Sequence, residues 1–281
     1  MKAKQVSSLI LPLNQYGSIG HVQSIFSDSI NVSISSRLIH IASDRLPLSS
    51  FGVQLEVRYF QEVRARVRLG DLVVCKTQKL VFYSQESPYV IDVSDCPSLC
   101  FELKCGLLTE SELQRFQDLL QKYTDFEQIG MDYTEKFQQL IRQMTESQVQ
   151  KQSFREWCHY LIGRGQGLTP SGDDIILGYV YGLRTLIDDS VLTYLRLELE
   201  WIKEQTTKVS YEYLYSLSCD TVSELFYQLN QNVLNRQWQD VEQIIYRVTQ
   251  IGHTSGRDTL FGILLASQHV MNNMRSNNNE K

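Results

Sequence analysis

The stretch TESELQRFQDLLQKYTDFEQ, residues 109–128, decides the fold class, because the character of the sequence changes there. It opens with Thr109 and Glu112 at the spacing of a capping box, in which each side chain pairs with the other residue's backbone amide. The apolar positions that follow recur at helical spacing: Leu113, Phe116, Leu119 and Leu120. Nearly every later segment shows the same periodicity, so the sequence predicts a helical domain over residues 109–281.

The part of the chain before residue 109 is rich in short segments of β-branched and aromatic residues. These segments are HVQSIFSDSINVSI, FGVQLEVRYF, VRARVRL, LVVCKTQKLVFYS and YVIDVSD. Small and polar residues separate them, and Gly70-Asp71 between two such runs is typical of a hairpin turn. The predicted fold class is α+β, with a small, barrel-like, β-rich domain over residues 1–108 followed by the helical domain.

Composition and charge argue against a polyanionic partner. The chain has 281 residues, 42% of them hydrophobic, and a net charge of −5. Nucleic-acid-binding proteins usually carry a basic stripe, and the nearest candidate, Arg58, Arg64, Arg66 and Arg68, is interrupted by Glu62. The alternation there is typical of the solvent-facing side of a strand. The N-terminal apolar run is too short for a signal peptide or a membrane span, so we expect a cytoplasmic protein without nucleic-acid or membrane partners.

Six cysteines are scattered along the chain, and Cys96, Cys100 and Cys105 lie close together in sequence. Three thiols could ligate zinc, but no fourth Cys or His follows at a metal-like spacing. We therefore interpret them as reduced structural cysteines and expect no cofactor. Mg²⁺ is the one alternative, since the aspartates described below could hold it.

A glycine-rich turn between two helical segments is the strongest functional signal. Residues 163–178 read GRGQGLTPSGDDIILG, with four glycines in the first ten positions. Glycine opens backbone conformations that are closed to other residues and lets a ligand approach the main chain. Pro170 precedes Ser171, where we expect the helix to start, and Ser171 with Asp174 resembles a capping box.

The pattern returns near the C-terminus. SGDDIILG, residues 171–178, aligns with SGRDTLFG, residues 255–262. Just upstream, residues 167–169 (GLT) match residues 252–254 (GHT) once Pro170 is treated as an insertion. Each copy reads Gly-x-Thr, then Ser-Gly-x-Asp, then an apolar helix with a glycine four residues after the aspartate. We expect the two turns to converge on one pocket.

Two such helix starts predict an anion-binding site. Unpaired N–H groups and the positive end of the helix dipole favour a phosphate or carboxylate there. Hydroxyl groups add donors, and arginines pair with anions in bidentate fashion. The predicted substrate-binding residues are Gly163, Arg164, Gly165, Gly167, Thr169, Ser171, Gly172, Asp173, Thr254, Ser255, Gly256 and Arg257. The predicted catalytic residues are Asp174, His253 and Asp258, with His253 the best acid–base candidate by residue type.

Other interpretations of these residues stay open. Asp173, Asp174 and Asp258 could instead hold Mg²⁺ against a phosphate, or they could serve only as helix caps. The turn matches neither a P-loop nor the dinucleotide-binding fingerprint. TTKVS, residues 206–210, ends a predicted helix and could reach the same pocket or be only a polar helix end.

The motifs GRGQGLTPSGDDIILG, TTKVS and GHTSGRDTLFG together resemble a bacterial family of domains of unknown function that includes the AllH subunit of oxamate carbamoyltransferase. The N-terminal stretch GHVQSIFSDSINVSI is similar to the opening of that family, so the resemblance covers most of the chain. Gln166 departs from the Gly-Pro-Gly-Leu-Thr-Pro usual in the family, which changes the rigidity of the loop more than its chemistry.

The resemblance implies a subunit of a multi-protein carbamoyltransferase of purine and allantoin breakdown, in which oxamate and carbamoyl phosphate interconvert with oxalurate and phosphate. The implied partners are an acyl-CoA-synthetase-like subunit and a second companion subunit. Both substrates are small anions, which two helix N-termini with Arg164 and Arg257 suit. Two alternatives stay open: a non-catalytic metabolite-binding or scaffold subunit, and a standalone Mg²⁺-dependent hydrolase, which would need Asp173, Asp174 and Asp258 close together.

Overall fold

The computed structural model describes residues 1–84, 87–124, 128–188 and 190–279. The chain forms two compact units, the first from residues 1–102 with 221–225, and the second from residues 103–220 together with the chain from 226 onward. A curled β-sheet dominates the first and helices make up the second, which confirms the α+β class. The domain boundary after residue 108 stays a prediction.

The sheet of the first unit has nine strands within the described residues. They are β1 (Gln5–Ser7), β2 (Ile19–Ile25), β3 (Ser29–Ile34), β4 (Arg37–Ser43), β5 (Gly52–Leu55), β6 (Leu72–Lys76), β7 (Lys79–Tyr83), β8 (Pro88–Asp92) and β9 (Ser98–Leu99). Their order across the sheet is β8-β7-β6-β2-β3-β4-β5-β1-β9. Neighbouring strands are antiparallel except for β4 with β5 and β1 with β9, which are parallel.

The segment before β1 makes this sheet curl into a half-barrel. The amide of Ala3 donates to the carbonyl of Asp92 at 2.9 Å, and the amide of Asp92 donates to the carbonyl of Met1 at 2.9 Å. The segment that leads into β1 therefore also pairs with β8, far away in the strand order. A register shift between Val22 and Ser24 adds a local bend in β2.

One segment predicted as strand is a helix, α1 (Val57–Arg66), which lies between β5 and β6. VRARVRL looks alternating, but Phe60, Val63 and Val67 recur at intervals of three and four residues and are buried, so the helical periodicity decides. Interpreting the nearby arginines as a strand face was wrong for the same reason. Gly70-Asp71 accordingly joins a helix to a strand and is not a hairpin.

A short return of the chain completes the first unit. Thr221 forms a β-bridge with Glu102, and the amide of Val222 donates to the carbonyl of Phe101 at 3.1 Å. The carboxylate of Glu224 accepts a hydrogen bond from the backbone amide of Leu48 at 2.9 Å. The sequence pattern does not indicate this return, because so short a segment carries no periodicity.

Nine further helices follow within the described residues. They are α2 (Glu110–Gln121), α3 (Glu135–Glu146), α4 (Lys151–Leu161), α5 (Ser171–Leu186), α6 (Ser190–Gln205), α7 (Lys208–Ser218), α8 (Glu224–Leu234), α9 (Trp238–Val248) and α10 (Ser255–Asn279). The capping box that opens α2 is confirmed. Residues 125–127 of the segment 109–128, from which the helical domain was predicted, lie outside the described residues. None of the described helices is both long enough and apolar enough to cross a membrane.

The starts of α8 and α5 are capped differently from what residue type alone suggests. Asp220 does not cap α8: its backbone is left-handed, with φ of 60°, and its carboxylate pairs with Arg184 at 2.7 Å. α5 begins at Ser171 itself, with Pro170 in the capping position and no side-chain cap. Ser171 and Asp174 therefore form no capping box, and both side chains are free to act elsewhere.

Helices α5 and α10 pack backbone against backbone through glycines. A methyl group at Gly178 would collide with the carbonyl oxygen of Thr259, and one at Gly262 would collide with the carbonyl oxygen of Ile175. The contacts are reciprocal, since Gly178 and Gly262 hold equivalent positions in the repeat, as do Ile175 and Thr259. Farther along, Gly182 lies against Ala266, so the two helices run in the same direction.

We expect Gly178→Ala to destabilise the protein by about 1–3 kcal/mol, because the added methyl group forces the two helices apart. In a loosely packed helix the same change would stabilise by about 0.5–1 kcal/mol, so the sign of the effect tests the contact. Urea denaturation of the whole chain measures it. Glu200→Ala, at an exposed position of α6, is the control and should change the free energy of unfolding by less than about 0.5 kcal/mol.

Candidate functional site

The two repeat turns are anchored in the same way. The first repeat turn, residues 163–174, follows α4, and the second repeat turn, residues 252–258, follows α9. Near the start of each following helix a glycine lies against a carbonyl at the end of the preceding helix. Gly172 lies against Leu161 and Gly256 against Val248, so closely that a methyl group on either glycine would overlap the carbonyl oxygen. Both glycines, predicted as ligand contacts, thus hold the helix starts in place.

The carboxylate of Asp174 has hydroxyl neighbours from both repeat turns. The carboxylate of this residue has the hydroxyls of Ser255 and Thr169 as hydrogen-bonding neighbours. The Thr169 hydroxyl also lies 3.1 Å from the Ser255 hydroxyl and donates to it. Asp174 therefore connects its own turn to the serine of the other repeat.

The second aspartate repeats this arrangement in reverse. Asp258 has the hydroxyls of Ser171 and Thr254 as hydrogen-bonding neighbours, one from each repeat turn. Its Oδ1 atom also accepts the backbone amide of Gly130 at 2.8 Å. Each aspartate is thus joined to the serine of the opposite repeat and to the threonine of its own. The repeat seen in the sequence is a two-fold arrangement in space.

Burial raises the pKa of both carboxyl groups. Asp174 is 4% exposed, and its pKa lies well above the usual value, because of burial first and then because of the negative charges of Asp258 and Asp173. Burial also raises the pKa of Asp258, while the Gly130 amide and the two hydroxyls oppose that shift. Among the described residues, neither Oδ2 atom has a well-aligned hydrogen-bond donor. The site therefore contains two neighbouring carboxyl groups that are incompletely satisfied.

Both repeat turns line one cavity of about 850 Å³, which we call the turn cavity. Its lining residues are Gly130, Met131, Asp132, Thr134, Tyr160, Arg164, Gly165, Gln166, Gly167, Ser171, His253 and Thr254. The expected convergence of the two turns is therefore what the structure shows. Of the predicted catalytic residues, His253 lines this cavity, whereas Asp174 and Asp258 lie behind the residues that do.

Several predicted ligand contacts have other surroundings. Asp173 accepts the amide of Gly163 at 2.7 Å and the hydroxyl of Thr206, so it ties the first repeat turn to the segment between α6 and α7. That segment, TTKVS, does reach the turn. Arg257, at the position equivalent to Asp173, is not among the residues that line the turn cavity. Thr169 and Ser255 are also absent from that lining.

Three of the amides at the very starts of the two helices are already engaged. Those of Gly172 and Asp173 in α5 donate to the carbonyls of Arg164 and Pro170, and that of Gly256 in α10 also donates to a loop carbonyl. Anion binding by helix N-termini, as predicted, therefore has less support than the residue pattern suggests. Another set of amides takes its place in the first repeat turn.

Three alternate glycines of that turn, at positions 163, 165 and 167, have positive φ values of 78°, 112° and 96°. Backbones of this kind can aim successive N–H groups into one concavity, which binds anions. The amides of Gly165, Gln166 and Gly167 donate to no acceptor in the described part of the chain. These residues line the turn cavity, so their amides are available to a ligand there.

Cationic side chains other than the predicted Arg164 lie next to the turn cavity, in a groove that Glu156 also lines. The guanidinium of Arg164 lies 4.5 Å from the centre of the Tyr160 ring, and the ammonium of Lys136 lies 5.2 Å from the same ring. Tyr160 and Arg164 also line a groove of about 620 Å³ together with Lys136, Arg155 and His159. Lys136 comes from α3, Arg155, His159 and Tyr160 come from α4, and Arg164 belongs to the first repeat turn, so no shared motif connects them in sequence.

No group of three or more His, Cys, Asp and Glu side chains is arranged to hold a metal ion in the described part of the chain. The carboxylate oxygens of Asp173 are taken by the contacts given above, so the acidic side chains left in this region are the buried Asp174 and Asp258, together with Asp132 on the cavity lining. What the turn cavity offers a ligand is the guanidinium of Arg164, backbone groups, hydroxyls, the imidazole of His253 and the carboxylate of Asp132.

These features define a class of protein: an α+β chain whose helical unit carries a polar cavity between two copies of one Ser-Gly-x-Asp turn. A family profile described as oxamate carbamoyltransferase subunit AllH matches residues 161–267, which include both turns, and the AllH family N-terminal domain matches residues 2–98. The chain belongs to the AllH family of oxamate carbamoyltransferase subunits. None of the curated proteins and none of the solved structures matches it significantly.

The buried carboxyl of Asp174 predicts a specific pH dependence of stability. Its pKa is raised in the folded state, so the folded protein binds this proton more tightly than the unfolded chain does. The resulting stability is fully present below the unfolded pKa of about 3.9 and is lost as the pH rises through the folded pKa. The free energy of unfolding of the wild type should therefore rise relative to that of Asp174→Asn as the pH falls towards about 3.9. Urea denaturation of both proteins over a pH series measures the difference, and a difference that does not vary with pH would contradict the raised pKa.

Proposed function

We propose that this chain binds the small anionic substrates of oxamate carbamoyltransferase, carbamoyl phosphate or oxamate, in the turn cavity. The observation that carries the proposal is that both repeat turns line this one cavity, with Arg164 and His253 among its walls. Family membership supplies the reaction, and the cavity supplies a place for its small substrates. In this proposal the chain acts with an acyl-CoA-synthetase-like subunit and a second companion in purine and allantoin breakdown.

Two kinds of donor support anion binding. The guanidinium of Arg164 can form charge-assisted hydrogen bonds with a phosphate or carboxylate. The amides of Gly165, Gln166 and Gly167 add uncharged donors on the same side of the first repeat turn. Lys136, whose ammonium lies 5.2 Å from the centre of the same Tyr160 ring, adds positive charge beside the cavity.

The reaction needs proton movement as well as binding. The amide nitrogen of oxamate attacks the carbamoyl carbon, the bond from that carbon to the phosphate oxygen breaks, and the nitrogen loses one proton that the departing phosphate can take. His253 is the lining residue suited by type to carry this proton. Asp174 and Asp258 do not reach the cavity wall, so we assign Asp258 to positioning Ser171 and Thr254, and Asp174 to holding Thr169 and Ser255, rather than to touching substrate.

A second candidate function has one observation in its favour. Because the two buried aspartates lie behind the lining residues, the turn cavity could hold a metabolite without chemistry, as in a scaffold or regulatory subunit. His253→Ala separates the two functions in the reconstituted complex. In the enzyme, kcat falls about 100-fold or more, the range expected for loss of a general acid–base group; in a scaffold subunit, kcat stays unchanged.

Substitution of Arg164 tests the binding site directly. In the complex, Arg164→Gln should raise KM for carbamoyl phosphate or oxamate about 10–100-fold, since a hydrogen bond to a charged group contributes about 1.5–3 kcal/mol. In the isolated chain, the same change should abolish the rise in Tm that these anions produce in wild type. Arg142→Gln, at an exposed site on α3 outside the cavity lining, is the matched control. An unchanged KM, together with no anion-dependent rise in Tm for wild type, would exclude this cavity as the substrate site.

A further inference from the structure

Ser171 and Thr254 form the part of the turn cavity that lies in front of Asp258. Both residues line the cavity, and both hydroxyls are hydrogen-bonding neighbours of the Asp258 carboxylate. Gly130, which also lines the cavity, brings its backbone close to the same two hydroxyls. Its amide donates to Oδ1 of Asp258 at 2.8 Å. All three lining groups are therefore organised around one buried carboxylate.

The carboxylate of Asp258 has fewer hydrogen-bond donors than it can accept. Asp258 is fully buried, and its Oδ2 atom has no well-aligned donor among the described residues. A buried acceptor without a partner is costly, and a hydroxyl hydrogen rotates freely to satisfy whichever acceptor lies beside it. The carboxylate of Asp258 therefore favours orientations in which the hydroxyl hydrogens of its neighbours Ser171 and Thr254 point back at it. What these hydroxyls then present to the cavity is their oxygen lone pairs, which accept hydrogen bonds.

We propose that Ser171 and Thr254 form an acceptor surface that recognises the primary amide of the substrate, with Asp258 as the positioning residue that fixes the direction of their hydroxyl groups. This inference rests on the proposed function. Carbamoyl phosphate and oxamate share one polarity, an NH₂ group at one end and an anion at the other. The acceptor surface fits the NH₂ end, and Arg164 with the amides of Gly165–Gly167 fits the anionic end.

The proposal predicts discrimination between two ligands of nearly the same shape. Oxalate differs from oxamate in having a second carboxylate in place of the amide. Its oxygens cannot donate to the acceptor surface, and their charge is repelled by Asp258 behind it. A site that hydrogen-bonds a substrate NH group rejects an analogue that lacks it, because the polar groups of the site are left unpaired.

The test is the ratio of the Kd for oxalate to the Kd for oxamate, measured by calorimetry on the full chain and as inhibition or KM in the complex. Wild type should favour oxamate by about tenfold or more. Ser171→Ala and Thr254→Val should each lower the ratio several-fold, mainly by weakening oxamate. Asp258→Asn should lower it further, because the asparagine NH₂ group donates to the hydroxyls and lets them turn their hydrogens towards the cavity. Ser255→Ala, the equivalent change in the other repeat and outside the cavity lining, is the matched control and should keep the wild-type ratio.

The outcomes separate this inference from the proposed function. If both anions bind in a manner that depends on Arg164, but the ratio is the same in wild type, Ser171→Ala and Thr254→Val, the acceptor surface is wrong and the anion site stands. If neither anion binds the chain or the complex, the proposed function fails and this inference fails with it. A lowered ratio in Thr254→Val alone supports the proposal even if Ser171→Ala does not fold.

Discussion

The close approach of α5 and α10 sets the geometry on which the rest of the second unit depends. Gly178 and Gly262 let the two backbones touch. Gly178 lies against Thr259 and Gly262 against Ile175, and these two partners hold equivalent positions in the repeat. Because the helices run in the same direction, the turns that precede them must meet at one end. Side chains at these two positions would separate the helices and with them the turns. The turn cavity is therefore a consequence of helix packing as much as of loop sequence.

The close packing of α5 and α10 also brings Asp174 and Asp258 near each other and buries both carboxyl groups. Buried carboxyl groups cost free energy unless donors satisfy them, and hydroxyls satisfy them only in part here. An asparagine or a leucine would be less costly at either position, so stability does not explain the aspartates. Their value lies in fixing hydroxyl directions across the repeat, which neutral residues would do less firmly.

The sequence predicted the framework of the site better than its chemistry. The repeated Ser-Gly-x-Asp pattern implied two equivalent turns, and family-specific residues of the first turn pointed to AllH. Anion binding through helix amides was a less secure step, because whether the amides of Gly172 and Gly256 are already engaged depends on loop carbonyls that no local pattern specifies. Arg164 was predicted as a ligand contact, but Lys136 was not, because it lies on another helix and only the tertiary structure brings it to the same Tyr160 ring. In the first unit, α1 was missed because alternation and helical spacing coexist in VRARVRL.

The function depends on how the two repeats differ. A perfectly two-fold site would present the same groups from both sides and would suit a symmetric ligand such as oxalate, whereas both proposed substrates have unlike ends. The structure breaks this symmetry in three places. Gly130 donates to Asp258, and the second repeat turn has His253. The first repeat turn alone has the Gly-Arg-Gly-Gln-Gly run, whose last three amides donate to no acceptor in the described part of the chain. The duplicated turn thus supplies the frame and the two hydroxyls, Ser171 and Thr254, that we assign to the NH₂ end of the substrate. The residues found only in the first repeat turn, Arg164 among them, supply the donors that we assign to the anionic end.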